Sequence, residues 1–236
     1  MTVLAKVNSL DWSKIQSDMD DNGFAEVPEL LSKAECDVLV GLYDDNAAKF
    51  RSRIVMARHN FGSGEYKYFD YPLPDLVREL RQALFPHLAV IANQWAQYLG
   101  SSDCWPESLD TFLEACHAAN QKRPTPLLLK YGEGDYNCLH QDLYGEVYFP
   151  FQIVIQLSER GLDYEGGELV LVEQRPRMQS RPAVITVGKG GAAIIPVRDR
   201  PARGAKGWKR TTMRHGVGTI KKGSRHTLGM IFHDAT

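Results

Sequence analysis

The chain has 236 residues and a formal net charge of −1, with 43% hydrophobic and 24% charged residues. This length and apolar content fit one globular unit with its own core and exclude a disordered or low-complexity chain. No apolar run approaches the ~18 residues of a membrane-spanning helix, and no charged-then-apolar leader opens the chain. The four cysteines lack C-x-x-C spacing and are typical of reduced thiols. We therefore expect a cytoplasmic protein without a membrane partner.

Helical patterns dominate the first hundred residues. A helix is predicted from about residue 10 to Asn22-Gly23, followed by a short strand at 24–27. Ser32, with Glu35 three residues later, forms a capping-box pattern that starts the next helix. Residues 75–99 form a long amphipathic pattern, whose apolar stripe comprises Leu76, Leu80, Leu84, Leu88 and Ile91. We expect these helices to brace one sheet from outside.

The segment 51–73 lies between those helices and is rich in aromatic residues without a helical pattern. A loop of that length in a compact domain is usually functional or a lid. Arg58, Tyr66 and Tyr68 are therefore candidates to stack on, or hydrogen-bond, a substrate. The alternative is that the aromatic side chains fold down onto the edge of the sheet.

Short strands separated by turn residues dominate the second half of the chain. β-Branched and apolar runs occur at 127–131, 151–157, 169–172, 192–197 and 225–232. Such a series of short strands suggests a sandwich or barrel. The predicted fold class is α+β with a mainly β core, as one domain over residues 1–236. Residues 1–100 form its helical cover and residues 124–236 its core.

The motif His140-Gln141-Asp142 and the distant His215 suggest a metal site. Side chains two residues apart on a strand point the same way, so His140 and Asp142 can share one ion while Gln141 points elsewhere. Two imidazoles and one carboxylate on one face of the metal suit non-haem Fe(II) oxygenases, since the other positions stay open. A strand histidine, a turn aspartate and a loop histidine are the alternative.

Arg225 offers a planar guanidinium that matches a carboxylate, as a keto-acid cosubstrate would need. Thr227, two residues on, would lie on the same strand face and could add a hydroxyl; it could equally be an ordinary strand threonine.

The chain resembles the Fe(II)/2-oxoglutarate dioxygenases. The Gly166-Gly167-Glu168-Leu169 stretch and the spacing from His215 to Arg225 resemble the prolyl 4-hydroxylase type. Longer motifs resemble a bacterial oxygenase family described as acting in oxidative demethylation of damaged DNA. These motifs are 50–59, 123–132, 140–145, 173–180 and 225–235. The resemblance covers nearly the whole chain and implies a double-stranded β-helix (jelly-roll, cupin-like) with N-terminal helices packed on one sheet.

The resemblance also implies a cofactor set of Fe(II), 2-oxoglutarate and O₂. His140, Asp142 and His215 would hold the metal, and Arg225 would meet the distal carboxylate of 2-oxoglutarate. Tyr131 matches a tyrosine that assists this contact in related enzymes. Asn137 either contacts the cosubstrate or shapes the turn before His140.

Positive charge is concentrated late in the chain. Residues 175–225 hold 14 lysines and arginines against one acidic residue, Asp199, a local excess of +13. Such asymmetry hints at an anionic partner, although the cations could instead pair with acidic groups elsewhere. Arg177, in a predicted loop near the active-site mouth, is a candidate substrate contact. Trp208 stands among cations and could stack on a nucleic-acid base or on an arginine of the protein.

Three functions follow from these patterns. The first is a dioxygenase that hydroxylates an unactivated C–H bond of a small molecule or a peptide or protein side chain, with release of succinate and CO₂. The second applies the same chemistry to an alkylated nucleobase in DNA or RNA. The third is a non-enzymatic β-barrel binding module. The patterns leave the oligomeric state open.

Overall fold

The computed structural model describes residues 2–45, 47–175, 177–205 and 207–236. Within the basic segment 175–225, Pro176 and Lys206 lie outside this description. The five helices are α1 (Val3–Asn8), α2 (Trp12–Asn22), α3 (Lys33–Leu42), α4 (Asp75–Tyr98) and α5 (Leu109–Ala118). The strands are β1 (Ala25–Val27), β2 (Phe50–Val55), β3 (Gly62–Ser63), β4 (Glu65–Phe69), β5 (Leu127–Tyr131), β6 (Tyr136–His140), β7 (Phe151–Gln156), β8 (Tyr164–Gly166), β9 (Leu169–Gln174), β10 (Arg181–Ile185), β11 (Ala192–Pro196), β12 (Asp199–Gly204), β13 (Gly207–Val217), β14 (Ile220–Gly223) and β15 (Arg225–Ile231).

A seven-stranded antiparallel sheet forms the centre of the fold. Its order is β1-β11-β7-β15-β5-β4-β2. On β7, Phe151, Ile153 and Ile155 point to the face covered by the helices, where they join one core cluster with apolar residues of all five helices. Gln152 and Val154 point to the opposite face, because side chains alternate along a strand. The sheet therefore has one face packed on the helices and one face left for a site.

The helical cover agrees with the sequence patterns. Ser32 makes both hydrogen bonds of a capping box with Glu35, and this pair fixes the start of α3. In α4 the predicted stripe faces the sheet, and Leu80, Leu84 and Leu88 are each at most 1% exposed. The short helix α1 was not predicted. No helix in the described ranges is long and apolar enough to cross a membrane.

A second antiparallel sheet faces the first. Its order is β10-β9-β13-β6-β3, and β12 pairs with β13. Leu171 and Met213 from this sheet pack against Ala193 and Ile195 from β11 of the first sheet. This apolar layer closes one part of the space between the sheets. The remaining space lies beside β13 and the end of β6, where the candidate metal ligands lie on these strands or directly after β6.

The segment 51–73 is not the long loop that its sequence predicted. It forms β2, a 3₁₀ helix at Met56–His59, β3 and β4. Strand β4 pairs with β5, so the segment extends the large sheet. Tyr66 and Tyr68 lie two residues apart on β4 and contact one another edge to face, with ring centroids 5.4 Å apart. Aromatic residues favour half-buried strands, and the aromatic residues of this segment lie in such a strand, β4.

A buried ion pair ties the end of the chain to the helical cover. Nη2 of Arg81, on α4, lies 2.9 Å from Oδ1 of Asp234, and the two residues are 1% and 0% exposed. The same nitrogen donates to the carbonyl of Phe232 at 2.7 Å. Asp234 also accepts from the Tyr71 hydroxyl at 3.0 Å and lies 2.9 Å from Nε2 of His117. This network anchors the segment that directly follows β15.

Candidate active site

His140, Asp142 and His215 come together between the two sheets. His140 ends β6, Asp142 follows it, and His215 lies opposite His140 in the register of β13 with β6. Nε2 of His215 is 3.1 Å from Oδ2 of Asp142, and Nε2 of His140 is 3.5 Å from Oδ1. One donor atom from each residue lies within 4.8 Å of the other two. These three groups can therefore converge on one ion.

Neighbouring groups hold these side chains in place. Nδ1 of His140 lies 2.7 Å from the carbonyl of Cys138, which fixes the ring and leaves Nε2 facing Asp142. The Tyr144 hydroxyl donates to Oδ1 of Asp142 at 2.7 Å. Gln141 turns away, as predicted, and donates to the carbonyl of Met213 at 3.0 Å. Fixed orientation of this kind is what metal ligands require.

The pKa values of the three groups reflect their proximity. Burial alone would raise the pKa of Asp142, but hydrogen bonds from His140 and His215 hold it well below its ordinary value. Burial and the neighbouring His140 lower the pKa of His215. For His140 burial opposes protonation, but the Asp142 carboxylate raises its pKa. A carboxylate and a neutral imidazole are the forms that bind a metal.

Arg225 lies at the start of β15, opposite Tyr131 of β5. It is 3% exposed, and its Nε and Nη1 have no hydrogen-bond partner in the described part of the chain. Its guanidinium carbon lies 5.9 Å from the ring centroids of Tyr131 and Tyr164. Burying an arginine with free donors is costly, and these atoms are available to hydrogen-bond an anion.

One cavity connects the three converging groups with Arg225. Its volume is about 320 Å³. Tyr131, Asn137 and Thr227 also line it, and Nδ2 of Asn137 donates to the Tyr131 hydroxyl at 3.3 Å. Asn137 lies within β6, so the idea that it shapes a turn is wrong. Thr227 faces the cavity together with Arg225, as the strand pattern predicted.

The four candidate substrate contacts fall in different places. Tyr66 lines the cavity, whereas Tyr68 is 6% exposed and packs against Tyr144 and the guanidinium of Arg51. Arg58 is exposed in the 3₁₀ helix and does not line the cavity. Arg177 is exposed in the β9–β10 connection, with a φ of 61°, and it too lies outside the cavity lining.

Two further residues of the site were not singled out in the sequence. Tyr144 orients Asp142, and its position two residues beyond that ligand was the available signal. Gln152 is 2% exposed and faces the cavity from β7. Its signal was an amide inside an otherwise apolar strand run, Phe151-Gln152-Ile153-Val154.

Most of the late positive charge lies away from the cavity. Among the described basic residues of 175–225, Arg225 alone lines it. A separate cleft of about 210 Å³ is lined by four cations, namely Arg175, Arg203, Lys209 and Arg210. Trp208 stacks on Tyr98, with ring centroids 4.2 Å apart, and the guanidinium of Arg203 lies 5.1 Å from its ring. Trp208 was predicted to stack either on a nucleic-acid base or on an arginine of the protein, and the structure shows stacking within the protein.

Comparison with known proteins defines the class. The model of a family described as "Oxygenase, catalysing oxidative methylation of damaged DNA" matches residues 64–235. An uncharacterized protein found in two strains of Mycobacterium tuberculosis is 51% identical over 167 residues, covering 71% of this chain and 72% of the relative. The chain therefore belongs to this oxygenase family. It is an oxygenase, and the hypothesis of a non-enzymatic binding module is wrong.

Solved structures show the fold. A prolyl-4-hydroxylase of Pseudomonas putida has a TM-score of 0.54 at 13% identity, covering 95% of this chain and 99% of its own. A 2OG-Fe(II) oxygenase family oxidoreductase of Burkholderia pseudomallei has a TM-score of 0.53 at 14% identity, with coverage of 97% and 95%. A peptide-bound prolyl hydroxylase of Trichoplax adhaerens has a TM-score of 0.51 at 15% identity, with coverage of 98% and 91%. The two facing sheets are thus the predicted double-stranded β-helix.

Proposed function

We propose that this oxygenase depends on Fe(II) and 2-oxoglutarate and hydroxylates a C–H bond of a small molecule or a peptide side chain. The observation that carries the proposal is a single cavity with two features. It joins three converging groups that could hold a metal ion to a buried arginine whose Nε and Nη1 have no hydrogen-bond partner among the described residues. A dicarboxylate that also chelates a metal would satisfy both ends of this cavity.

The donor set fits the metal. His140, Asp142 and His215 supply two imidazole nitrogens and a carboxylate oxygen, the facial set of non-haem Fe(II) oxygenases. Bound iron would supply the activation of O₂ that is coupled to conversion of 2-oxoglutarate into succinate and CO₂ and to oxidation of the substrate. The three residues would hold the ion, and Tyr144 would keep the Asp142 carboxylate in place.

Arg225 fits the distal carboxylate of 2-oxoglutarate. A guanidinium offers two parallel N–H groups to a carboxylate, and burial strengthens the contact because competing water is excluded. Thr227 and Tyr131 line the same end of the cavity and add hydroxyl groups within it. The absence of a side chain at Gly167 leaves room for the side chain of Arg225. Gly167 has a φ of 62°, and a Cβ there would lie 3.2 Å from Cδ of Arg225.

The rest of the cavity favours a compact apolar or aromatic group. Phe61, Tyr66, Leu127, Leu139 and Ile231 line it. Phe61 and Leu139 are 48% and 44% exposed, so apolar surface continues from the cavity to the solvent. Apolar walls of this kind bind apolar groups by excluding water, and a small number of polar groups then fixes the orientation of the ligand. An aliphatic or aromatic substituent of a small molecule or peptide would fit here.

An alkylated nucleobase is the second candidate. The family description names damaged DNA, and the cleft lined by Arg175, Arg203, Lys209 and Arg210 could contact phosphates. Lys209 and His215 are six residues apart on β13, roughly 20 Å along an extended strand, so a short single strand could reach both places. An aromatic cavity wall is also compatible with a flat base.

Succinate production distinguishes these candidates. Purified protein with Fe(II) and 2-oxoglutarate would be supplied in turn with apolar small molecules, peptides and single-stranded oligonucleotides carrying methylated bases. The proposal expects a substrate-dependent increase in succinate with one of the first two classes. An increase confined to oligonucleotides would favour the second candidate.

Oligonucleotide binding provides an independent check. Phosphate contacts would give an affinity that falls steeply with salt, and a Lys209→Glu variant would weaken it more than the control Lys222→Glu, on β14 outside the cleft. No binding at low salt would rule the second candidate out.

A further inference from the structure

Gln152 is a buried amide in an apolar strand. Strand β7 lies between β11 and β15, and Gln152 pairs with Ile195 on one side and Ile231 on the other. It is 2% exposed and lines the cavity with Val154. An apolar side chain would fill this position without a desolvation cost. The buried amide therefore needs a hydrogen-bond partner that offsets the cost of its desolvation.

Within the described part of the chain, Nε2 of this amide has only a long contact. The polar atom that its Nε2 approaches is Nε2 of His215, at 3.4 Å, which is long for a hydrogen bond between nitrogens. Gln156 lies on the same face of the same strand and is also buried, at 3%, but its Nε2 donates to the carbonyl of Ser158 at 2.9 Å. The two glutamines, four residues apart, therefore differ. Gln156 hydrogen-bonds a backbone carbonyl, whereas the amide of Gln152 points toward the candidate metal ligands.

Metal binding would remove even the long contact to His215. Nε2 of His215 also faces Asp142 at 3.1 Å, so it is the atom that would coordinate the ion. Its lone pair could then no longer accept a hydrogen bond from Gln152. The amide would be left beside the ion with a free donor, and a bound oxygen ligand would be its remaining partner.

The position of Gln152 indicates which ligand atom it meets. Arg225 and Ile231 are six residues apart on β15, and Gln152 lies opposite Ile231. Arg225 and Gln152 thus enter one cavity from opposite ends, with the metal-binding groups nearer to Gln152. A 2-oxo dicarboxylate whose distal carboxylate contacts Arg225 has its 2-oxo acid end toward Gln152.

We propose that Gln152 is a positioning residue that hydrogen-bonds the metal-chelating 2-oxo acid end of the cosubstrate. This role rests on the proposed function and adds Gln152 to the residues that bind the cosubstrate. It gives the site a contact at each end of the cosubstrate, Arg225 at the distal carboxylate and Gln152 at the chelating end. The two contacts together would fix the orientation of the chelate in the cavity.

The test measures two affinities separately. Isothermal titration with Co(II), and then with 2-oxoglutarate on the Co(II)-loaded protein, would compare the wild type with Gln152→Met and with the matched control Gln156→Met. Gln152→Met keeps the length and apolar body of the side chain. It should weaken 2-oxoglutarate binding about tenfold while changing Co(II) affinity less than about twofold, the effect of one lost charge-assisted hydrogen bond. Gln156→Met should change Co(II) affinity by less than about twofold, because the Gln156 amide donates to the carbonyl of Ser158 and does not approach the metal ligands.

Gln152→Glu adds a readout that a purely structural residue would not give. A carboxylate beside the ion should strengthen Co(II) binding, whereas its repulsion of the 2-oxo acid should weaken 2-oxoglutarate binding beyond the loss in Gln152→Met. The visible spectrum of the Co(II) protein with 2-oxoglutarate should also differ from that of the wild type.

Other results would overturn the assignment. A Gln152→Met protein that binds 2-oxoglutarate within twofold of the wild type would do so, as would one that loses Co(II) and 2-oxoglutarate affinity in parallel. A wild-type protein that binds neither Co(II) nor 2-oxoglutarate would instead refute the proposed function itself, which keeps the two failures distinct.

Discussion

Replacing Arg225 by methionine should remove the distal contact for 2-oxoglutarate while leaving the metal-binding groups in place. Methionine is of similar length and apolar, so it suits a position that is 3% exposed. Nε and Nη1 of Arg225 have no partner among the described residues, so the substitution breaks no hydrogen bond from these atoms within the protein. The loss should therefore appear in ligand binding more than in folding.

The expected magnitude follows from the two parallel hydrogen bonds that a guanidinium makes with one carboxylate. Hydrogen bonds to a charged group contribute about 1.5–3 kcal/mol each. A combined loss of about 3–4 kcal/mol corresponds to roughly 10²–10³-fold weaker binding. Arg225→Lys keeps the charge but loses the planar geometry, so we expect an intermediate loss.

The assay compares two ligands on the metal-loaded protein. 2-Oxopentanoate keeps the 2-oxo acid and the chain length but lacks the distal carboxylate. Wild type should prefer 2-oxoglutarate strongly, and Arg225→Met should bind the two ligands almost equally. Arg160→Met is the matched control, because Arg160 lies near the same end of the site but is partly exposed and pairs with Glu168. Preserved discrimination in Arg225→Met, or equal loss in Arg160→Met, would refute this reasoning.

Three further changes test the scaffold. Asp234→Asn leaves the buried charge of Arg81 without its partner, so urea unfolding should show a loss of about 3–5 kcal/mol; a loss below 1 kcal/mol would contradict this. Burial lowers the pKa of His233 to about 4, below the ~6.5 of an unfolded histidine, so the unfolded state binds more protons between these values. Stability should therefore fall by up to about 3 kcal/mol from pH 7 to pH 4 on account of this group, and His233→Leu should show a correspondingly flatter pH profile in urea titrations. Gly167→Ala places a Cβ 2.2 Å from Cδ1 of Ile220 at a φ of 62°, so thermal unfolding should shift downward; an unchanged midpoint would contradict the close approach.

The elements predicted most successfully are those with local signals. The capping box at Ser32 and the apolar stripe of α4 depend on residues within one or two turns, and both are confirmed. The alternation of side chains placed His140 with Asp142 and Arg225 with Thr227, because the period of a strand does not depend on its neighbours. The distant partner His215 was predicted together with the His140-Gln141-Asp142 motif from the ligand chemistry of iron, and the family resemblance supplied the overall topology.

The parts that failed depend on contacts distant in sequence. Residues 51–73 were predicted as a loop, but pairing of β4 with β5 and of β2 with β4 makes these two strands part of the large sheet. No local sequence pattern indicates that pairing. Gln152 was not predicted, because an amide inside an apolar strand run does not indicate its partner, and here that neighbour is His215 on the other sheet. The cations of 175–225 form a patch only in part, because Arg175 pairs with Glu173 and Arg210 with Asp199.

Succinate formation is the most direct test of the central claim. Wild-type protein with Fe(II), O₂ and 2-oxoglutarate should form succinate and CO₂ in equal amounts, and a chelator should stop the reaction. His140→Ala and His215→Ala should each reduce the rate at least a hundredfold while retaining the fold by circular dichroism. Succinate formation by the variants at the wild-type rate, or none by the metal-loaded wild type across the substrate classes, would contradict the assignment of His140, Asp142 and His215 as the iron site.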